Sequence, residues 1–492
     1  MVRSVRVVIV GGGITGLSAA AAAAARAREI DRSASITLLE ASGRLGGNIV
    51  TERVDGYVLD AGPDSWVASK PHATALAKNL GLGGALVGTR EHVRRYYVVW
   101  NGRLHAVPEG IVLGVPTRLG PLAGTRLFTW GGKLRMALEP FVQARRYQGD
   151  EDESIADFAS RRLGREAADR LVAPLLGGIS AGDANALSVR AAFPQLVAME
   201  NDYGSLTRGM LAARRKRATA DPEASKASAF LSLEGGMGAL VDALYERVRS
   251  SGVVVRRSTP ARSIERSQGV YRVGVGEGET LTADAVLLAA PAHSVASLLG
   301  SLDADAGGRV STLAYGSTAT VFLAYKRSDV RHPLDGVGFV VPRSLGRPIL
   351  ASTWVSSKWA HRAPEGQVLL RAFFGGAGGQ DVVTQDDATL TALARRELGA
   401  LMGLEAEPLW SRVFRFERAS AQMRVGHLAV MRGLRERMKE AVPGVLIAGG
   451  GYGVTGIPDC IREGQEAGRA MVEPRVAAGI MSNPQGLPGS NP

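Results

Sequence analysis

The chain has 492 residues, of which 45% are hydrophobic and 22% charged, so wholesale disorder is excluded and two or three domains are expected. Its formal net charge of +12 at pH 7 favours anionic partners such as carboxylates, lipid headgroups or nucleic acid, without choosing among them. The single cysteine, Cys460, excludes an internal disulfide and a thiolate metal cage, and a reducing cytoplasm is the expected location.

The first forty residues have a βαβ pattern. Residues 5–10 are predicted as a buried strand, 11–16 as a turn, 17–28 as a helix and 35–40 as a second strand. Basic residues precede this apolar stretch, as in a secretory signal, but glycines interrupt it where a nucleotide-binding turn needs them. No other apolar run approaches the length of about 18 residues typical of a membrane span, so no such span is expected.

The turn at residues 11–16 matches G-x-G-x-x-G between a strand and a helix. Gly11 allows the tight turn, Gly13 lets a pyrophosphate approach the helix N-terminus, and Gly16 lets helix and strand pack closely. Glu40 ends the second strand and can accept hydrogen bonds from ribose hydroxyls. The pattern predicts a dinucleotide site, and the acid favours NAD or FAD over NADP, whose 2′-phosphate it would repel.

The rest of the chain alternates between helical and strand-forming patterns. Apolar residues recur at helical spacing over 153–176, and a basic, polar segment over 214–228 is predicted as a loop that is either solvated or in contact with anionic lipid. A helix over 237–249 and strands over 253–257 and 285–290 follow. Short alternating runs over 312–374 predict an antiparallel sheet, and a strand over 444–448 and a helix over 460–472 close the organised part.

Residues 41–47 resemble the second fingerprint of the flavin amine oxidase superfamily, in which an arginine and two glycines meet the diphosphate and the flavin. Here they are Arg44, Gly46 and Gly47. Residues 59–63 are similar to the superfamily's next element. The resemblance implies non-covalently bound FAD; the alternative is that these are ordinary loop residues. The cofactor-binding residues it implies are Gly11, Gly12, Gly13, Gly16, Glu40, Arg44, Gly46, Gly47, Gly62, Ala261, Gly449, Ile457 and Asp459.

The C-terminal block adds a second dinucleotide-contacting segment. A strand ends in the glycines 449–451, and a helix begins near Asp459, where its positive dipole could face the electron-rich end of a reduced flavin. Contacts from both ends of the chain predict a discontinuous domain. Cys460 is expected to be a packed thiol and not the site of a covalent flavin bond.

We therefore expect an α/β fold with α+β insertions. A discontinuous Rossmann-like FAD-binding domain is predicted from 1–92, 231–300 and 415–475, and a substrate-binding antiparallel sheet domain from 93–107 and 301–414. Residues 108–230 form a predicted helical insertion that could face a membrane. Residues 476–492 are a predicted disordered tail.

A narrower resemblance covers residues 6–471. Residues 177–183, 187–188, 193–194 and 456–461 are similar to the oxygen-dependent porphyrinogen oxidases, the family that includes protoporphyrinogen oxidases and bacterial coproporphyrinogen III oxidases. The stretch 354–371 resembles the Gram-positive-type coproporphyrinogen branch. One departure is Ala421-Gln422-Met423, where the family usually has Pro-Gln-Tyr.

This resemblance implies a six-electron oxidation of a porphyrinogen in haem biosynthesis, in three two-electron rounds, with oxygen as acceptor and hydrogen peroxide as product. Arg95 would clamp a propionate and the carbonyl of Gly178 would accept from pyrrole NH groups, while Val337, Val340 and Phe373 would form apolar walls. A planar guanidinium suits a carboxylate clamp because it can donate two parallel hydrogen bonds. The flavin carries the chemistry, so no general base and no metal site are predicted.

Several alternatives stay open. Coproporphyrinogen III carries four propionates and protoporphyrinogen IX two, so a site for the first is expected to have more cationic groups around its rim. The candidates are Arg94, Arg103, Lys358 and Arg371. Another amine oxidase-type enzyme and a non-catalytic porphyrin-binding flavoprotein are rival classes. Nucleic-acid binding is not expected, because no recognition motif accompanies the net charge. A downstream chelatase is a candidate partner, and the oligomeric state is not predicted.

Overall fold

The computed structural model describes residues 4–90, 93, 95–179, 181–220, 228–377 and 379–473. Arg94 and the predicted tail at 476–492 lie outside the described residues, as do residues 221–227 of the predicted polar loop. Residues 214–217 of that loop are instead part of the helix Leu206–Ala220. The loop prediction is wrong there because arginine, lysine and alanine are strong helix formers, whatever their charge.

Five parallel strands from three distant parts of the chain form one sheet. Their order is Val254–Arg256, Ala34–Leu39, Val5–Val10, Ala285–Leu288 and Val445–Ile447. Along the central strand, Val5, Val7 and Ile9 pack on one side of the sheet while Val8 and Val10 pack on the other, the alternation expected of a strand buried on both faces.

Each face of this sheet is covered. One side packs against the helices Ile14–Glu29, Gly238–Ser250 and Ile457–Met471. The other packs against the helices Ala292–Gly300, Ala304–Ser311 and His427–Ala441 and an antiparallel sheet of Ala261–Ser267, Val270–Val275 and Glu279–Ala283. The result is the layered α/β arrangement predicted from the sequence.

The first and last helices of this unit pack unusually closely. A Cβ atom added to Gly464 would lie 2.3 Å from the carbonyl oxygen of Thr15, and one added to Gly468 would lie 2.1 Å from that of Ala19. Glycines on the last helix therefore meet the alanine-rich face of the first, and the two ends of the chain are held together.

A seven-stranded sheet forms the second unit. Its order is Trp410–Gln422, Ala314–Lys326, Gln367–Gly375, Ile349–Trp354, Gly336–Val340, Arg95–Trp100 and Arg103–Ala106, antiparallel except where Gly336–Val340 meets Arg95–Trp100. The helix Asp387–Met402 packs on one face. The first of these strands pairs with its neighbour as far as Gln422, so the predicted boundary at 414/415 falls inside a strand and that segment belongs to the sheet.

The helical insertion has its own core. Its elements are Ile111–Val112, Val115–Pro116, Leu119–Gly124, Trp130–Ala137, Glu139–Phe141, Ile155–Leu163, Arg165–Ala167, a π-helical turn at Ala168–Val172, Ala173–Ile179, Val189–Ala192, Pro194–Tyr203 and Leu206–Ala220. Arg162 is fully buried in this core and is paired with the buried carboxylates of Glu139 and Glu200.

The remaining elements are short. They are the hairpin Thr51–Val54 with Tyr57–Asp60, the sheet of Trp66–Val67, Phe230–Leu233 and Leu86–Gly88, the helices Pro71–Asn79, Val355–Lys358 and Gln380–Val383, and the 3₁₀ turns Gly83–Ala85, Arg327–Asp329 and Arg343–Leu345. The strand Phe230–Leu233 spans the predicted boundary at 230/231.

Candidate functional site

The glycine turn after the first strand has the geometry that the motif predicts. Gly11 has φ +111°, and a Cβ atom there would lie 2.5 Å from the carbonyl oxygen of Ala289. A Cβ atom on Gly16 would lie 1.9 Å from the carbonyl oxygen of Gly11. No side chain caps the helix Ile14–Glu29, whose N-cap is Gly13. Its first N–H groups therefore face outward for an anionic group such as a diphosphate.

The second predicted fingerprint lies directly on the first. Gly46 donates from its backbone N–H to the carbonyl of Gly12 at 2.9 Å. Gly47 has φ +58°, and a Cβ atom there would be 3.4 Å from the Cα of Gly13. Arg44 is exposed, and its guanidinium is 3.4 Å from the carbonyl oxygen of Ile49. The two glycine loops form a cradle of bare backbone, which fits the diphosphate of FAD.

The carboxylate of Glu40 already has partners within the chain. It accepts from the backbone N–H of Gly12 at 2.7 Å and from the backbone N–H and hydroxyl of Ser42 at 2.8 and 2.7 Å. Glu40 thus ties the two loops together. Its Oε1 atom already accepts both hydrogen bonds from Ser42, so Oε2 is the oxygen that keeps a lone pair for a ribose hydroxyl. Sequence analysis missed Ser42. Ala261 lies nearby, at the start of a strand just after Thr259, whose N–H donates to the carbonyl of Glu40 at 2.8 Å.

The C-terminal glycine turn joins the same cradle. Gly449 has φ +112°, and a Cβ atom there would lie 2.9 Å from the hydroxyl oxygen of Thr15, in the first turn of the first helix. Gly449 donates from its N–H to the buried carboxylate of Glu463 at 3.1 Å, and burial raises the pKa of Glu463. Sequence analysis missed Glu463, because an acid within a helix carries no signal of the turn it holds.

The helix Ile457–Met471 begins beside this turn and has no side-chain cap, so its N-terminus could face the cofactor. Asp459, in the first turn of this helix, is paired with Lys70. Cys460 is a buried free thiol, and burial raises its pKa to about 12. It is therefore protonated and packed at neutral pH.

Residues 60–64 form a loop between the nucleotide cradle and the seven-stranded sheet. A Cβ atom on Gly62 would lie 1.8 Å from the carbonyl oxygen of Asn48. Asp60 is paired with Arg362 at 2.9 Å, and Asp64 accepts from Lys358 at 2.7 Å and from the indole of Trp359 at 3.1 Å. Despite desolvation, which opposes it, the Lys358 ammonium holds the pKa of Asp64 well below its usual range. Sequence analysis missed both pairings.

Two of the candidate rim cations, Lys358 and Arg371, have their partners in this loop. Lys358 is bound to Asp64 with its side chain 15% exposed, and Arg371 is buried with its guanidinium on the carbonyl of Ala61. Both candidates for the substrate rim thus have partners within the chain, because buried carbonyl and carboxylate groups need these donors. Arg103 is exposed on the edge hairpin of the sheet.

Arg95 begins a strand of the seven-stranded sheet, and its side chain is 63% exposed. Its guanidinium is 2.8 Å from Asp335, which also accepts from the hydroxyl of Tyr97 at 2.7 Å. The neighbouring strand carries Val337 and Val340, both half-buried, and Val340 also packs against the helical insertion. The predicted clamp residue and two predicted wall residues therefore lie on adjacent strands.

Gly178 lies on the helix Ala173–Ile179, which follows the π-helical turn and contacts the strand Gly336–Val340. It is exposed, and a Cβ atom there would meet open space. Its carbonyl accepts from the N–H of Ala181 at 3.1 Å and has a second lone pair for a substrate NH. Phe373 is half-buried two strands away, with the Arg371 guanidinium 4.4 Å from its ring.

The segment that departs from the family pattern contacts another motif segment, residues 187–188. The N–H of Ser188 donates to the carbonyl of Met423 at 2.8 Å, and Leu187 pairs with Arg424 in an isolated bridge. The backbone at 421–424 thus connects the seven-stranded sheet to the helical insertion without a tyrosine.

A sequence model of the family described as flavin-containing amine oxidoreductase matches residues 14–472 of this chain. The chain belongs to this family. Coproporphyrinogen III oxidase of Bacillus subtilis (strain 168) is 36% identical over 461 residues, covering 94% of this chain and 96% of that protein. Chloroplastic protoporphyrinogen oxidase of Oryza sativa subsp. japonica is 30% identical over 467 residues, covering 90% and 84%. A solved structure from Exiguobacterium sp. 255-15 has a TM-score of 0.83 at 34% identity and covers 96% of this chain and 99% of its own.

The protein is therefore a flavin-dependent oxidoreductase with FAD as its cofactor, and the glycine cradle and two uncapped helix N-termini fit that group. Among the residues that the structure describes, no helix is both long enough and apolar enough to cross a membrane. Within the same residues, no three His, Cys, Asp or Glu side chains form a group that could hold a metal ion.

Proposed function

We propose that the protein oxidises coproporphyrinogen III to coproporphyrin III in haem biosynthesis, removing six electrons and using molecular oxygen as the acceptor with release of hydrogen peroxide. One observation carries this proposal. The helix that contains Gly178 contacts the strand of Val337 and Val340, which pairs with the strand of Arg95, and Gly178 borders open space. The Bacillus subtilis relative, identical at 36% of positions, supports the choice of substrate.

When bound, FAD supplies the two-electron acceptor for each round. The chain's own residues bind and orient the macrocycle. Arg95 would exchange its ion pair with Asp335 for a substrate propionate, and the carbonyl of Gly178 would accept from the inward-facing pyrrole NH groups. Val337, Val340 and Phe373 would cover the macrocycle faces and exclude water. We assign no general base.

Anaerobic mixing of the FAD-loaded protein with each porphyrinogen tests this function. We expect coproporphyrinogen III to bleach the yellow flavin within one turnover, and steady-state rates to be higher than with protoporphyrinogen IX. An unchanged flavin spectrum with both would contradict the proposal. Tight porphyrin binding without peroxide would identify a carrier, and bleaching by amines alone would identify another amine oxidase-type enzyme.

Protoporphyrinogen IX is the second candidate. The observation that favours it is the placement of Lys358 and Arg371, since neither is available to meet the additional propionates of coproporphyrinogen III. The protoporphyrinogen oxidase of Oryza sativa, 30% identical, is a relative of that specificity. A clearly higher kcat/KM for protoporphyrinogen IX would establish this alternative.

Replacing Arg95 by alanine is expected to raise the KM for the porphyrinogen about tenfold or more, because a bidentate charged hydrogen bond to a propionate is lost. The flavin content should not change, since Arg95 belongs to the sheet and not to the nucleotide cradle. Steady-state kinetics and flavin absorbance measure the two effects. The exposed Arg272, replaced by alanine, is the matched control. A normal KM in Arg95→Ala would remove the clamp role.

We further propose that the protein is cytoplasmic and peripheral on anionic membrane. Trp130, Leu134, Leu138 and Phe141 follow one another at helical spacing and are 74%, 62%, 45% and 79% exposed. Trp130 and Leu134 lie on the helix Trp130–Ala137, Leu138 is its C-cap and Phe141 ends the 3₁₀ turn that follows. An exposed apolar stripe of this kind is typical of an interfacial anchor, and the exposed Arg126 and Arg146 flank it in sequence. A chelatase that takes the product is the partner we would seek on the same surface.

Flotation with vesicles tests this peripheral contact. We expect the protein to float with vesicles rich in phosphatidylglycerol. The partition coefficient of the variant Trp130→Ser/Phe141→Ser should be at least tenfold lower, because two large apolar side chains are removed from the contact. Val254→Ser, at an apolar residue that is 54% exposed in the edge strand of the parallel sheet, should behave as the unchanged protein. Equal flotation of all three proteins would exclude the stripe as an anchor.

A further inference from the structure

Arg371 is a buried cation in an unusual position. It lies in the strand Gln367–Gly375 with 5% of its surface exposed, and its guanidinium donates to the backbone carbonyl of Ala61. Its Nε–H is buried and has no hydrogen-bond partner. Buried donors are nearly always paired, so an unpaired one points to a group that the chain itself does not supply.

The charges around Arg371 do not balance within the described residues. Asp60 is paired with Arg362 and Asp64 with Lys358, each at under 3 Å. These two ion pairs use both carboxylates of the loop. Arg371 makes no ion pair with any described residue, and Asp60 and Asp64 act on it only at longer range. The cluster therefore holds three cations and two carboxylates, one positive charge in excess. A buried charge is costly unless an opposite charge compensates it.

The surroundings of Arg371 connect it to both predicted sites. The Ala61 carbonyl that it contacts precedes Gly62, a predicted cofactor contact, and also accepts from the hydroxyl of Thr320 at 3.3 Å. The rings of Phe373 and Phe322 lie 4.4 and 5.4 Å from the guanidinium carbon. Phe373 is a predicted wall of the substrate chamber. Arg371 therefore lies behind the loop that separates the cofactor cradle from the sheet.

We propose that Arg371 is a positioning residue that compensates the negative charge which the flavin ring acquires on reduction. Transfer of a hydride, two electrons and one proton, to a neutral flavin leaves one negative charge on the ring. A fixed cation behind the Ala61–Gly62 backbone stabilises that product relative to the oxidised form, and it does so strongly because the site is desolvated.

Burial lowers the pKa of Arg371 to about 10. The guanidinium therefore stays protonated at neutral pH and keeps its charge throughout turnover. Its location behind two aromatic rings also favours the flavin over a substrate propionate as its partner, since propionates project from the rim of the macrocycle. The inference depends on FAD but not on which porphyrinogen is oxidised.

The test is the midpoint potential of the flavin, measured by anaerobic titration of the FAD-loaded protein without porphyrinogen. In Arg371→Met, we expect the equilibrium constant for reduction to fall at least tenfold, which is about 30 mV more negative for a two-electron couple. Arg371→Lys, which keeps the charge, should shift by less than half as much. Arg412→Met, at an exposed arginine of the adjoining region of the same sheet, should not shift.

Arg371→Gln, which can still donate to the Ala61 carbonyl, replaces the methionine variant if that one fails to load flavin, and the same negative shift is expected. An unchanged potential in a flavin-loaded neutral variant would overturn the proposal. An effect confined to the KM for porphyrinogen would overturn it in favour of a propionate contact. An equal shift in the lysine variant would show that the guanidinium shape, and not its charge, is responsible.

Discussion

Replacing Gly16 by alanine is expected to abolish stable FAD binding. Even a single methyl group at this position would lie 1.9 Å from the carbonyl oxygen of Gly11, a backbone atom of the turn that cradles the diphosphate. Either the turn or the helix Ile14–Glu29 must move, and both carry predicted cofactor contacts. We expect the affinity for FAD to fall at least a hundredfold, about 2.7 kcal/mol. Flavin absorbance of the purified protein and titration with FAD measure this loss.

Gly308→Ala is the matched control for that experiment. Gly308 lies in a helix that packs on the same unit, but a Cβ atom there would meet nothing within 4 Å. The substitution should leave the flavin content unchanged and slightly stabilise the helix. A Gly16→Ala protein that binds FAD normally would show that the turn adapts, and the assigned role of Gly16 would then be wrong.

Replacing Arg162 by methionine is expected to destabilise the helical insertion by about 3–5 kcal/mol. Arg162 is fully buried, and Glu139 and Glu200 are buried beside it with no exposed surface. It also donates to the backbone carbonyls of Val142 and Gly204 at 3.0 and 3.2 Å. Its removal leaves Glu139 a buried carboxylate without its cationic partner and reduces the compensation at Glu200, which Arg161 also contacts.

Urea unfolding of the FAD-loaded protein, followed by circular dichroism, measures this effect as a lower midpoint. Arg249→Met removes an exposed pair with Glu246 and should change the stability by less than about 0.5 kcal/mol. The double variant Arg162→Met/Glu139→Gln should recover part of the loss, because one uncompensated charge is then removed. If Arg162→Met and Arg249→Met unfolded alike, the buried network would not stabilise the insertion.

Patterns that are local in sequence predicted local structure well. The buried strand at 5–10, the glycine turn and the acid at residue 40 each follow from the local sequence pattern, and the structure places all three together. Two glycine segments at opposite ends of the chain also predicted the discontinuous sheet. The family resemblance, which the comparisons confirm, added FAD.

Side-chain partners could not be predicted in the same way. Lys358 and Arg371 are basic residues in a stretch similar to the coproporphyrinogen branch, yet they are bound to residues about 300 positions earlier in the chain. The basic run at 214–217 carried the composition of a loop but forms a helix. In each case the outcome depends on which distant element is the neighbour, and spacing contains no information on that. The domain boundaries and the roles of individual site residues stay predictions.

The close contact between the first and last helices determines when the parallel sheet and its helices can be completed during synthesis of the chain. During synthesis, the alanine-rich face of Ile14–Glu29 emerges from the ribosome more than 400 residues before Gly464 and Gly468, which cover it. The central strand pairs with Ala34–Leu39, which is synthesised soon after it, whereas the edge strand Val445–Ile447 is synthesised about 400 residues later. Non-local pairing of this kind slows folding and leaves apolar surface exposed in the nascent chain. The nucleotide cradle is therefore complete only after residues 445–471 have been synthesised and have packed against the N-terminal elements.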